Sequence, residues 1–283
     1  MRRRMTRTLL AAAAAGATAA TLGLTAAGAA SAASTTTHTT GPPSGTTPIY
    51  TNANCDTDLC AQSGYQASNR DFRFASAVIR VPTSNGVVDI SPQFYVGLQD
   101  TNGWAHAGIE PCTGGGCPNG WEGFYEVFQD GTPLLTVHVP FDGVAAGDGV
   151  FFSIYFNSVG NAVRLVVTLP DGTTSAQTVA VNGSIYTAAV AEADWSNDDT
   201  QPIPTVPLAN TRLTQFFQGR FTTLSGSQGT FDGPWVLSPI ETTTNGHAPP
   251  AGTLISAPSY LWNDGNSYQG LPRDAFGVWL YNP

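Results

Sequence analysis

Apolar and polar residues alternate along most of this chain with a period of two. In "FRFASAVIRVP", Ala75, Ala77, Ile79 and Val81 fall on one side of an extended segment, and Phe74, Ser76, Val78 and Arg80 on the other. "GVFFSIYFN" repeats the pattern with Val150, Phe152, Ile154 and Phe156. "NAVRLVVTLPDG" does so with Val163, Leu165, Val167 and Leu169 before a Pro-Asp-Gly turn. "DGTTSAQTVAVNGSIYTAAVAE" extends the run as a meander through an Asn-Gly turn. "RDAFGVWLYNP" closes the chain as a strand with Phe276, Val278 and Leu280 on one face. No window between turn signals keeps a 3.6-residue apolar period. Many short strands with such turns predict an all-β fold, a two-sheet antiparallel β-sandwich.

This texture holds from residue 49 to 283, about 235 residues, which fits one all-β domain. Residues 34–48, "STTTHTTGPPSGTTP", are a Thr-, Pro- and Gly-rich lead-in with no core-forming pattern. Residues 1–33 join a basic start, "MRRRMTR", to a small apolar run and an Ala-x-Ala type cleavage site, the three parts of a secretory signal peptide. A membrane anchor would carry Leu and Ile where this run has Ala, Gly and Thr. The expected product is a secreted, extracellular, monomeric protein.

Loss of the leader removes four of the 11 basic residues and leaves seven against 20 acidic ones, a charge of about −13 near neutrality. The chain has no lysine. Such a surface repels nucleic acid and anionic membranes, so neither is an expected partner. Carboxylate protonation relieves the self-repulsion in acid, which suits an acid habitat. The four cysteines form two C-x4-C pairs, Cys55/Cys60 and Cys112/Cys117. Three disulfide connectivities are possible; export favours two local bridges over a four-thiolate zinc site.

Common catalytic motifs are absent. There is no Gly-x-Ser-x-Gly elbow and no HExxH; "SGSQG" at 225–229 is a loop, and "DWSNDD" (194–199) is a solvated turn without the calcium-loop pattern. His138, in the strand "LLTVHVPF", and His247 have no partner evident in sequence. No metal and no cofactor are expected. Carboxylates are the stronger lead. Glu110, Glu122 and Glu126 crowd into 17 residues, and Glu122 and Glu126 share strand parity. Glu192 ends the apolar run "YTAAVAE", where desolvation raises a carboxyl pKa towards an acid-range working value.

The order "QSGYQAS … FRFASAVIRVP … FYVGLQD … WAHAGIE … GFYEVF … GDGVFFSI … AVAEAD … VPLANTRLTQF" resembles the glutamic peptidase (eqolisin) family. The likeness spans about Gly64 to Tyr268. It implies a concanavalin-like sandwich with a polypeptide substrate across a concave face. It also implies a glutamate acting as general base on water and a glutamine amide polarising the oxyanion, without metal or covalent intermediate. On this sequence the glutamate falls on Glu192, or on Asp198 if the match is made through Asp194-Trp195. The glutamine position holds His106, and Gln99 stands where the family has an aspartate. Glu126 and Glu122 match the family's acidic segment, and Glu110 the acid after the glycine. Tyr125, Phe124 and Trp104 complete the implied cleft. A protonated His106 would donate to an oxyanion and lower the pKa of Glu192.

Two other functions compete with an acid-acting endopeptidase. One is an inactive relative that binds peptide or glycan through Tyr95, Trp104, Trp121, Phe124 and Tyr125. The other is a glycoside hydrolase pairing Glu126 with Glu192, which requires carboxyls about 5–9.5 Å apart.

Overall fold

The structure, a computed structural model, describes residues 47–52, 54–55, 58–82, 91–112, 117, 120–183, 185–196, 214–252, 254–259, 261 and 274–280. The leader, nearly all of the lead-in and Asp198 lie outside them. The first strands are β1 (Ile49–Asn52), β2 (Asn54–Cys55), β3 (Asp58–Ser68), β4 (Phe72–Arg80), β5 (Ser91–Gln99) and β6 (Gly103–Pro111). Then follow β7 (Trp121–Gln129), β8 (Thr132–Val139), β9 (Gly149–Asn157), β10 (Ala162–Thr168), β11 (Thr174–Ala180) and β12 (Ala188–Ser196). The last are β13 (Thr214–Thr223), β14 (Gln228–Gly229), β15 (Val236–Thr243), β16 (Leu254–Pro258) and β17 (Phe276–Leu280). Among the described residues, no helix is long and apolar enough to cross a membrane.

Pairing resolves the strands into two layers. One sheet runs β1–β15–β3–β12–β5–β6–β7–β8, antiparallel except for β1 on β15. The other runs β17–β13–β4–β9–β10–β11, with β14 on β13. Strand β16 pairs with both β15 and β17 and joins the layers at one edge. The alternations predicted for β4, β9 and β10 hold: Ala75, Ala77, Ile79, Phe152, Ile154 and Leu165 all lie in the shared core. So do Phe276 and Val278; the side chain of Leu280 is outside the described residues.

The meander does not continue past β11. Residues 182–183 do turn, with Gly183 at a positive φ of 59°. The chain then leaves its layer, and β12 inserts between β3 and β5 of the other sheet. A strand with alanines at 189, 191 and 193 suits that central place, because its small inward side chains leave room in a core filled by large aromatic ones.

The β7–β8 hairpin turns through Asp130 and Gly131, both at positive φ (51° and 76°), as a two-residue turn matched to strand twist requires. Tyr125 ties the two layers together. Its hydroxyl donates to the Ser175 carbonyl (2.7 Å) and accepts from the Val167 amide (3.0 Å). Tyr125 therefore faces the core and not the cleft, as does Trp121. Both alternate with Glu122, Phe124 and Glu126, so parity sends them inward.

Candidate active site

Glu192 is the fifth of nine residues in β12, so it lies mid-strand and not at a strand end. Ala189, Ala191 and Ala193 turn into the core; Val190, Glu192 and Asp194 therefore project from the other face of the sheet. Asp194 belongs to this strand and not to a solvated turn. Across β12, Glu192 pairs with Gly64 on one side and Tyr95 on the other. A Cβ at Gly64 would lie 2.7 Å from the Glu192 Cα and 2.3 Å from the Ala191 carbonyl oxygen, so only glycine permits this approach. The Tyr95 hydroxyl hydrogen-bonds the Glu192 carboxylate. Tyr95, Phe124 and Val190 form a small apolar cluster separate from the core. Glu192 is only 3% exposed. Burial, reinforced by the nearby Asp194 charge and partly offset by the Tyr95 bond, raises its pKa to about 8.

His106 sits one strand further on, paired with Gly97 of β5 and Glu126 of β7. Its ring lies over Gly97, where a Cβ would come within 2.6 Å of the imidazole Cδ2. Tyr95 stacks on it at 4.1 Å and Trp104 at 5.8 Å. The Gln99 amide Nε2 is 3.1 Å from His106 Nε2. With that amide donating, a neutral ring carries its proton on Nδ1. Burial lowers the His106 pKa to about 3. The expected imidazolium is thus corrected: the ring is neutral above the acid extreme and exerts no downward pull on Glu192, whereas the rise expected for Glu192 from desolvation is present. Tyr95 connects the two, stacked on the imidazole and bonded to the carboxylate.

The remaining acids also share this face. Trp104 Nε1 donates to Glu126 Oε2 at 3.4 Å, and Trp104 stacks on Phe128 at 4.3 Å. Glu126 is three strands from Glu192 and two residues out of line, roughly 14 Å across the sheet at about 4.8 Å per strand.

Glu110 and Glu122 face each other directly across β6 and β7. His138 does have partners: its Nδ1 lies 2.8 Å from Glu110 Oε1 and 3.4 Å from Glu122 Oε1. The Gln93 amide donates to Glu110 Oε2 at 2.9 Å. Burial raises the Glu110 pKa, while Gln93 and His138 pull it back. Beside them Cys112 and Cys117 form a disulfide closing the β6–β7 loop. The side chains of Cys55 and Cys60 lie outside the described residues.

The face thus gathers Glu192, His106, Gln99, Trp104, Phe124, Glu126, Glu110 and Glu122 as expected, and excludes Tyr125. Tyr95 was expected only as a binding aromatic, yet it makes the central contact. Its signal was present: in "FYVGLQ" it shares parity with Gly97 and Gln99, opposite the core residues Phe94, Val96 and Leu98.

Solved structures with this architecture include scytalido-glutamic peptidase. Its complex with a peptide-based transition state analogue matches at 12% identity and a TM-score of 0.52, covering 80% of this chain and all of that one. Its complex with a transition state analogue inhibitor matches at 14% identity and a TM-score of 0.53 over the same shares. SCP-B of the eqolisin family, bound to the tripeptide Ala-Ile-His, matches at 13% identity and a TM-score of 0.44. The likeness to the two scytalido-glutamic peptidase complexes establishes the fold, an all-β sandwich. No family model and no curated protein sequence matches the chain.

Proposed function

We propose that this protein is a peptide-bond hydrolase of the glutamic-peptidase type, exported by its leader, with Glu192 as its acid–base group. The observation that carries the reading is a buried glutamate in the middle of the face away from the core, held by the Tyr95 hydroxyl beside a neutral histidine. The order of sequence motifs and the sandwich fold support the same reading. Ionised Glu192 takes a proton from water as the water oxygen attacks the peptide carbonyl. The oxyanion accepts a hydrogen bond from a neutral donor, the role assigned to His106 Nδ1–H. Glu192 then returns the proton to the leaving amine nitrogen, the C–N bond breaks, and the carboxylic acid and amine depart.

This chemistry requires the ionised carboxylate. With a pKa of about 8, only about one molecule in a hundred carries it at pH 6. The working range therefore moves from the acid values expected from sequence towards neutral and mildly alkaline pH. The test is hydrolysis of a denatured protein from pH 3 to 9 by wild type, Glu192→Gln and His106→Gln. Cleavage should rise about tenfold per pH unit up to about 8 and vanish in Glu192→Gln. His106→Gln should keep activity, because the amide supplies an equivalent donor.

A second reading has its own observation. Trp104 stacked on Phe128, beside the Tyr95–Phe124–Val190 cluster, is an aromatic platform suited to holding a chain without cutting it. No hydrolysis at any pH, with peptide binding abolished by Trp104→Ala, would establish a binding module in place of an enzyme.

A further inference from the structure

The cluster at the β6–β7–β8 edge is not used by the proposed chemistry. We infer that Glu110, Glu122 and His138 form a binding site for a divalent transition metal of the zinc type. The inference is independent of the peptidase reading, since neither Glu192 nor His106 is a ligand.

Two carboxylates directly opposite each other on adjacent strands repel, and a cation between them relieves that repulsion. Here the third strand supplies an imidazole, and one ligand atom from each of the three residues lies within 4.8 Å of the others. A tetrahedral ion with bonds of about 2.0–2.1 Å sets its donors about 3.3 Å apart. The His138 Nδ1 to Glu122 Oε1 distance of 3.4 Å already fits, and the 2.8 Å to Glu110 Oε1 needs to open by about half an ångström.

The surroundings are those of a built site. Gln93 holds Glu110 by its far oxygen, Oε2, at 2.9 Å. Its other oxygen, Oε1, is buried and turned to the His138 ring at 2.8 Å, with a lone pair that points into the cluster. A metal ion seated between the ring and the two carboxylates would satisfy that lone pair. Outer hydrogen bonds of the Gln93 kind orient carboxylate ligands in metal sites. The disulfide and the Cys112 amide bond to the Gly120 carbonyl (2.9 Å) fix the two carboxylate strands relative to each other. His138 is 52% exposed, so an ion can reach the site from solvent and keep a water as its fourth ligand. One nitrogen and two oxygens suit zinc, whereas magnesium prefers oxygen ligands in octahedral geometry. The cysteines, already bonded to each other, are not ligands. No linear motif announces the site because its donors come from three strands.

The test strips the purified protein with chelator, dialyses it against zinc chloride at about 10 μM and pH 7.5, a concentration that fills a site of micromolar Kd, and measures bound metal by mass spectrometry. One zinc per chain is expected in wild type and none in His138→Ala or Glu122→Gln. Gln93→Ala should weaken binding about 10- to 100-fold. His138 is half exposed, so its variant should keep the far-ultraviolet circular dichroism of the stripped wild type; His138→Asn is the substitute if alanine does not fold. Wild type retaining no zinc overturns the site, as does a stoichiometry of one that survives both His138 substitutions.

Discussion

Replacing Glu192 with glutamine should stabilise this protein, and by an amount that depends on pH in a defined direction. Glutamine keeps the shape of the neutral acid but cannot ionise. The glutamate's pKa is raised from 4.5 to about 8 by burial first and the Asp194 charge second. Below pH 4.5 both the folded and unfolded chains hold the proton, and the residue contributes nothing that varies. Between 4.5 and about 8 the unfolded chain releases it and the folded one retains it, so the fold loses about 1.4 kcal/mol per pH unit. Across the whole interval the loss reaches about 5 kcal/mol, a ceiling lowered by any water that enters on ionisation. A domain has only about 5–15 kcal/mol in total. Urea unfolding of wild type and Glu192→Gln at half-unit steps from pH 4 to 9 measures the difference, because every group not coupled to Glu192 cancels. The two proteins should match near pH 4, and the variant should lead by several kcal/mol at pH 8.5. A difference that stays flat with pH, or a wild type that gains on the variant as pH rises, would refute the assignment of a buried, upward-shifted carboxyl.

Tyr95→Phe removes the hydrogen bond that partly restrains that shift. The midpoint of the same difference curve should climb by about one to two pH units, the equivalent of a charged hydrogen bond. Gly97→Ala would place a Cβ 2.6 Å from His106 Cδ2 and 2.8 Å from Val190 Cγ2; the overpacking should cost about 1–3 kcal/mol in urea unfolding. Tyr125→Phe deprives the Val167 amide of its acceptor and should cost a similar amount, about 1–3 kcal/mol, with no effect on the Glu192 midpoint.

The alternation of Ala75, Ala77, Ile79 and Val81, and of the β9 and β10 residues, was legible because burial on one side of a strand imposes a period of two on the sequence itself. The same parity sorted Glu122 and Glu126 onto one face. It also assigns Tyr125 and Trp121 inward, since both have the opposite parity to Glu122, Phe124 and Glu126. Partners were harder. Tyr95 and Glu192 are distant in sequence and meet only because β4 departs to the other layer and β12 takes the vacated place between β3 and β5. The meander reading failed there for the same reason: an Asn-Gly turn is a local signal, while the choice of sheet is decided by where an alanine-rich strand can pack. The pKa shifts of Glu192 and His106 depend on burial by residues far along the chain, so charge arguments from neighbouring letters had the histidine charged when it is neutral.

The rings on the outer face have an optical consequence. Tyr95, His106, Trp104 and Phe128 follow one another in a continuous stack from β5 to β7, with successive centroids 4.1, 5.8 and 4.3 Å apart. Chromophores held this close in a fixed handed array couple their transitions, so the folded face should carry its own near-ultraviolet circular dichroism signal, dominated by the indole of Trp104. A chain laid across that face would change the indole's surroundings without touching the core tryptophan at 121. The protein thereby contains a label-free reporter of what lands on it, linked through the His106 and Tyr95 rings to the candidate catalytic carboxyl.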